Sequence, residues 1–194
     1  MPDHRTQADR TQATRAGLVD AAILLLIERG WGATTSVAVC EVADVTRGAL
    51  HHHYNDLGEL LSEALVKLCD DLLIGKNLPS TTLRQLLDRS WSIFSDRRFK
   101  AVMEAWWAAG NSADIARMVR PVMSNIATLV SPDNSQVPYF RKADVKTFIL
   151  VSRETMLGMA MGRATNGGNA LPHEKTVITA LRDQARELDA KYAE

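Results

Sequence analysis

The chain has 194 residues, 46% apolar and 24% charged, with 23 Lys and Arg against 23 Asp and Glu. That composition excludes disordered, collagen-like and low-complexity classes. Zero net charge excludes a protein that coats nucleic acid nonspecifically, but leaves room for a few aimed contacts.

The longest strongly apolar run, residues 21–27, falls far short of the roughly 18–20 residues of a membrane span. The opening Met-Pro-Asp-His-Arg lacks the apolar core of a signal peptide, so a cytoplasmic location and no membrane partner are expected. Two cysteines cannot build a disulfide scaffold, and no Cys/His spacing suggests zinc, so no metal or cofactor is expected.

Apolar residues recur at helical spacing almost throughout. Leu18, Ala22, Leu25 and Leu26 share a face of a first helix, residues 12–29, with Gly30 as its C-cap. Ser36 is placed to cap a short helix over 37–43. Asp44-Val45-Thr46 reads as a tight turn, since Asp tolerates the left-handed region. Residues 47–53 form a second short helix, and Asn55 or Asp56 caps a longer one over 57–74. After a connector at Leu78-Pro79-Ser80, helices are expected over 82–94, 99–109 and 114–130, the last with a kink or break at Pro121. A loop over 131–135 leads to a helix over 144–164, a Gly-rich turn, and a last helix over 172–192. No alternating strand pattern occurs, so the fold class is all-α.

Residues 36–54 are a short helix, a three-residue turn and another short helix: a helix-turn-helix unit, whose second helix enters the major groove of DNA. Val39, Val42, Ala43, Val45 and Leu50 can lock the two helices together, leaving Arg47, Ala49, His51 and His52 outward beside Gly48. A charged donor, small residues and imidazoles on a short exposed helix suit phosphates and base edges. Three consecutive histidines diverge by about 100° each, so His51-His52-His53 is a poor chelator.

The run from Val39 to Tyr54, VCEVADVTRGALHHHY, resembles the signature of the TetR (tetracycline repressor-like) family of transcriptional regulators. That signature reads Ile-Ala, two residues, Ala-Gly-Val-Ser, two or three residues, Leu-Tyr, one residue, His-Phe. The preceding helix and the Gly-Trp-Gly-Ala-Thr-Thr-Ser lead-in fit as well, so the resemblance covers about residues 12–73.

It implies an N-terminal three-helix bundle with the helix-turn-helix over residues 1–56, of which 1–11 form a flexible arm. A C-terminal helical ligand-binding and dimerisation domain follows over 57–194. It also implies that Ser36 bonds a phosphate and that Thr46 and Arg47 reach phosphate or base. Gly48 and Ala49 would lie closest to the groove, His51 would stand where the family has Tyr, and His52 and His53 would follow. Tyr54 would plug the unit against the first helix. Leu57 stands where the family usually has a phosphate-binding Lys.

Residues 1–56 hold five arginines against seven carboxylates, a net charge of −2 with His neutral. The expected remedy is local: Arg5, Arg10 and Arg15 form an arm toward the minor groove.

Trp91, Phe94, Met103, Trp106, Trp107, Met118, Phe148 and Met156 are the candidate lining of a pocket for an apolar or amphipathic effector, because aromatic and Met side chains fill irregular space adaptably. Met123 belongs to the same apolar group. Arg153 and Glu154, adjacent in sequence, are not expected to face each other. Small residues at Gly158, Ala160, Gly162 and Ala164 suit a four-helix interface between two copies.

The sequence expectation is therefore a homodimeric, ligand-responsive repressor of near-palindromic operators, and not an enzyme. Its two recognition helices would read half-sites about 34–36 Å apart or more. A second reading stays open: a helical small-molecule-binding protein or enzyme that retains a vestigial DNA-binding unit. No nucleophile–base pair or phosphate-binding glycine loop supports the enzyme form of it.

Overall fold

The apolar stripes fold as expected in a computed structural model, which describes residues 7–74, 80–129 and 137–192. The described residues form helices and turns with no strand. In chain order the helices are α1 (Gln7–Glu28), α2 (Ser36–Ala43), α3 (Arg47–His53), α4 (Leu57–Leu73), α5 (Leu83–Phe94), α6 (Phe99–Ala109), α7 (Ala113–Leu129), α8 (Ala143–Thr165) and α9 (Glu174–Lys191). No helix among the described residues is long and apolar enough to cross a membrane. Arg5, the connector residues Leu78 and Pro79 and the loop over 131–135 lie outside the described residues.

Packing divides the chain into two compact units, residues 1–70 with 101–122, and residues 71–100 with 123–194. Where the sequence places a functional boundary at 56/57, the first packed unit runs on through most of α4 and takes in most of α6 and the first half of α7.

Several boundaries differ for local reasons. α1 starts at Gln7 rather than 12, so 7–11 are helical and the hydroxyls of Thr11 and Thr14 donate back to the carbonyls of Gln7 and Arg10. The expected arm is helical from Gln7 onward. The cap of α2 is Thr35, not Ser36: Thr35 Oγ1 accepts from the Ala38 amide at 3.2 Å, which places Ser36 in the first turn. Asp56 Oδ1 accepts from the Glu59 amide at 2.9 Å, and the Glu59 carboxylate accepts from the Asn55 amide at 2.9 Å, a reciprocal cap on α4. α7 continues through Pro121 without a break.

The first unit is built on Leu18, Ala22, Leu25 and Leu26 of α1, with Val39, Leu50, Leu60, Ala64 and Leu65, all buried. At the α1–α2 junction Gly30 adopts φ 82°, a left-handed conformation that glycine takes without strain. A Cβ there would sit 2.5 Å from Glu104 Oε2, the carboxylate that accepts the Trp31 amide at 2.7 Å. The sequence offers no hint of this tie, since 73 residues separate donor and acceptor.

In the second unit Asp189 of α9 caps α5 from a distance in sequence. Its oxygens accept from the amides of Leu83 at 2.8 Å and Arg84 at 3.2 Å, satisfying donors that a helix start leaves unpaired. Tyr139 donates to the same carboxylate at 2.7 Å and stacks on Tyr192. Arg163 of α8 bonds Glu174 at the start of α9 through two nitrogens, 2.7 Å from Nε, and holds that carboxyl below the usual carboxylate range. Arg153 bonds Glu154 at 2.6 Å, against expectation: a guanidinium is long enough to fold back to the next residue even though the two Cβ atoms diverge.

Two stability predictions follow from the first unit. Gly30→Ala meets both a strained φ and a carboxylate oxygen, and is expected to lose about 1–3 kcal/mol in denaturant titration. Glu104→Gln, which keeps an amide acceptor, should lose less than Gly30→Ala by the same titration.

Candidate nucleic-acid interface

α2 and α3 meet through a turn at Asp44, whose φ of 52° and ψ of 48° place it in the left-handed region. The amides of Asp44 and Val45 close the end of α2 on the carbonyls of Glu41 and Cys40. An Asp there fills the place of a turn glycine, as its short polar side chain tolerates the conformation. Thr46 caps α3: its Oγ1 accepts from the Ala49 amide at 3.2 Å, and its own proton remains free to donate.

Of the residues expected to lock the unit, Val39 and Leu50 are fully buried and Ala43 and Val45 half-buried. Val42 is 39% exposed and takes little part in the lock, because it lies on the outer side of α2. Cys40 is buried, and burial pushes its thiol up despite the nearby charge of Arg47. Cys69 is buried too, its thiol pushed up to about 12 by burial first and by Asp70 second. Both are therefore poor nucleophiles.

Tyr54, immediately after α3, seats that helix. Its ring is buried, its hydroxyl donates to Glu63 Oε2 of α4 at 3.1 Å, and the Arg15 guanidinium of α1 lies 5.1 Å from the ring centroid. Arg15 Nη2 donates to the same Glu63 oxygen at 2.6 Å. Burial, reinforced by Glu63, pushes the Tyr54 phenol up to about 12, so it stays a donor. The hydrogen bond from Arg15 holds Glu63 below the usual carboxylate range, so it stays an acceptor. Arg15 is thus part of the scaffold and not of an arm. Arg10 is exposed on α1.

With Leu50 and Tyr54 buried, the opposite side of α3 is open. Thr46, Arg47, Gly48, His51 and His52 are exposed, and Ala49 and His53 are half-buried. Ser36 is half-buried at the start of α2. Every residue of the sequence-predicted set is thus exposed or half-buried, seven of them at Thr46 and along α3 and Ser36 on α2. Thr35 and Glu63 were missed, and Arg15 was placed in an arm. Thr35 precedes Ser36 in a run of three possible caps, and a salt bridge across 48 residues leaves no sequence signal.

The eight candidate effector residues divide between the two packed units. Met103, Trp106, Trp107 and Met118 belong to the first unit, and Trp91, Phe94, Phe148 and Met156 to the second. Met103 is core, Met118 is half-buried, and Trp106 and Trp107 are 49% and 56% exposed, so the two tryptophans line no interior there. Within the second unit Phe94 packs edge-on against Phe99, and Trp91 lies under the Arg163 guanidinium at 5.4 Å. Phe148 and Met156 line a cavity in the second unit, shared with Leu83, Leu86, Leu87, Ser90, Ile149, Ser152 and Arg153. It holds about 10 Å³, room for roughly one water. The hydroxyl of Ser152, buried beside it, has no hydrogen-bond partner among the described residues.

Comparison with known proteins matches residues 18–64 to the family model described as bacterial regulatory proteins, tetR family. The chain is 38% identical over 64 residues to the HTH-type transcriptional regulator TtgR of Pseudomonas putida, covering 33% of this chain and 30% of that protein. It is 30% identical over 115 residues to the HTH-type transcriptional regulator CymR of Pseudomonas putida, covering 56% of this chain and 57% of that protein. The chain thus spans about a third to three fifths of the length of these curated relatives.

Among solved structures, Salmonella enterica GusR superposes with a TM-score of 0.65 at 17% identity, over 93% of this chain and 98% of that one. A transcriptional regulator from Rhodococcus sp. Rha1 gives 0.66 at 21% identity, over 91% and 96%. These two likenesses establish the all-helical fold. Residues 18–64 are the segment of the chain that matches the tetR family of bacterial regulatory proteins.

Proposed function

We propose that this chain is a homodimeric, ligand-responsive transcriptional regulator. It acts as a repressor that binds a near-palindromic operator in double-stranded DNA and leaves it when a small apolar or amphipathic molecule binds. The observation that carries this reading is the open side of α3: Arg47, Gly48, His51 and His52 exposed on a helix whose other side is anchored by Leu50 and Tyr54. The relatives named above are transcriptional regulators by name, which supports it.

Each residue has a physical part in the proposed complex. Arg47 supplies a permanent charge and a planar fork of donors for phosphate or guanine. Thr46 gives its free hydroxyl proton to a phosphate, as Ser36 does from the first turn of α2. Gly48 and Ala49 let the helix approach base edges closely, and Ala49 offers a methyl to thymine. His51 and His52 donate from their rings, and His53 supports the helix end.

Pairing of two copies is supported by α8, which exposes Leu150, Val151 and Met161 on one side along with Gly158. Exposed apolar side chains gathered on one side of a helix, here around the exposed Glu154, favour an interface. Ala160 is buried within the unit and Gly162 is covered by Leu171, so part of the close approach these small residues allow is used inside the chain. The effector is assigned to the second unit, where Phe148 and Met156 can repack around a guest and the unpaired Ser152 hydroxyl can hold its polar end. Such a guest acts only through its different affinity for the two states of the dimer.

Footprinting on DNA upstream of the protein's own gene, at low salt, is expected to protect two half-sites about one helical turn or more apart. Absence of any palindromic footprint ends the repressor reading. Arg47→Ala should weaken binding to every duplex about evenly and flatten the salt dependence by about one unit per protomer, whereas His52→Ala should change which sequences are preferred. Unchanged affinities for Arg47→Ala would remove α3 from the interface. Val151→Glu, which buries a carboxylate in any α8 interface, should shift sedimentation toward the monomer.

A further inference from the structure

We propose that DNA binding by α3 is coupled to proton uptake at His51 and His52, so that affinity rises as pH falls through the imidazole range. The inference rests on the DNA-binding reading above and adds its regulation.

Three consecutive imidazoles end the recognition helix, and successive side chains point about 100° apart. The structure separates them accordingly. His51 and His52 are exposed beside Arg47, while His53 turns inward, edge-on to His52 at 5.3 Å. Burial, helped by the charges of His52 and of Arg15 from α1, pushes the His53 imidazole below its ordinary value.

The charges on the neighbouring elements define the setting. α1 presents Arg15, neutralised by Glu63 of α4, and α2 with its turn presents Glu41 and Asp44. Arg47 is the charge on α3 itself, and Asp56 and Glu59 follow at the start of α4. Lys67 of α4 is bound to Asp20 of α1 at 2.6 Å. Two of the unit's cations are thus committed to internal pairs, and residues 1–56 carry a net charge of −2 with His neutral. Two added protons bring that region to zero and place both charges on the helix proposed to meet phosphates.

A phosphate favours the imidazolium form, so binding to DNA draws protons onto the exposed rings. The gain in affinity grows as pH falls through the imidazole range. It is lost as pH rises through the higher value that a phosphate partner imposes in the complex. Each ring whose pKa rises by about one unit on binding contributes about tenfold in affinity. His53 sets the acid limit with the opposite sign. Its lowered value means the unfolded chain takes the proton more readily, so stability falls as pH drops through the ordinary imidazole range.

The test uses the full chain and fluorescein-labelled duplexes, one of mixed sequence and one selected from a random pool. Anisotropy titrations run at about pH 6 and pH 8 at constant ionic strength, with circular dichroism at each pH as the check on folding. Wild type is expected to bind more than tenfold more tightly at the lower pH, with a salt slope steeper by up to about two units per protomer. The double variant His51→Gln, His52→Gln should bind equally at both pH values, and His51→Arg, His52→Arg should bind tightly at both. Wild-type binding that is equal at the two pH values overturns the proton coupling and leaves the DNA-binding reading standing, as does a Gln double variant that keeps the pH dependence. Failure of both wild type and the Arg double variant to bind either duplex at either pH overturns both readings.

Discussion

The open side of α3 depends on how one aromatic ring is seated. α3 has only seven residues, too short to be stable through its own backbone hydrogen bonds, so tertiary contacts must hold it. Leu50 anchors its middle and Tyr54 its end, both buried. Tyr54 joins three elements at once, because its hydroxyl reaches Glu63 on α4 and its ring face receives Arg15 from α1. A buried phenol without a partner for its hydroxyl would leave an unmet polar group. A Glu63 without Arg15 would carry an unpaired charge beside an apolar ring. The three side chains satisfy one another, and the outward side of α3 is what remains.

That solution has an electrostatic consequence. Charge that could have been presented to a polyanion is committed internally: Arg15 to Glu63 and Lys67 to Asp20. These pairs are half exposed or more, so screening limits what each adds to stability. Their larger effect is to leave the region around α3 without a broad positive field. In the proposed complex, recognition then rests on donors aimed at particular atoms, such as Arg47, Thr46 and the imidazoles, and less on long-range attraction.

The second unit follows the same economy of buried polar groups. Asp189 gives its oxygens to the first amides of α5 and to Tyr139, and Glu174 gives its oxygens to Arg163. Against this background the unpartnered hydroxyl of Ser152 stands apart, since Ser90, on the neighbouring helix, donates to the Leu86 carbonyl as a helical serine commonly does. An unmet hydroxyl in an apolar cavity is a place where a guest with one polar atom gains more than it would from apolar contact alone.

The sequence by itself determined the class of fold and the helix-turn-helix. Helical periodicity is local, the cap and turn chemistry of Thr46, Asp44 and Asp56 acts within three residues, and the choice between buried and open sides of α3 follows from its spacing. It also placed Arg47, His51 and His52 outward, because their helix had only one apolar side to bury. Only the tertiary structure decided what Arg15 does, that Thr35 and not Ser36 caps α2, that Gly30 and Trp31 close on Glu104, and that the eight apolar candidates lie in two separate units. Each of these turns on which side chain arrives from tens of residues away, or on which of several equivalent neighbours wins one hydrogen bond. A one-dimensional pattern carries no record of either.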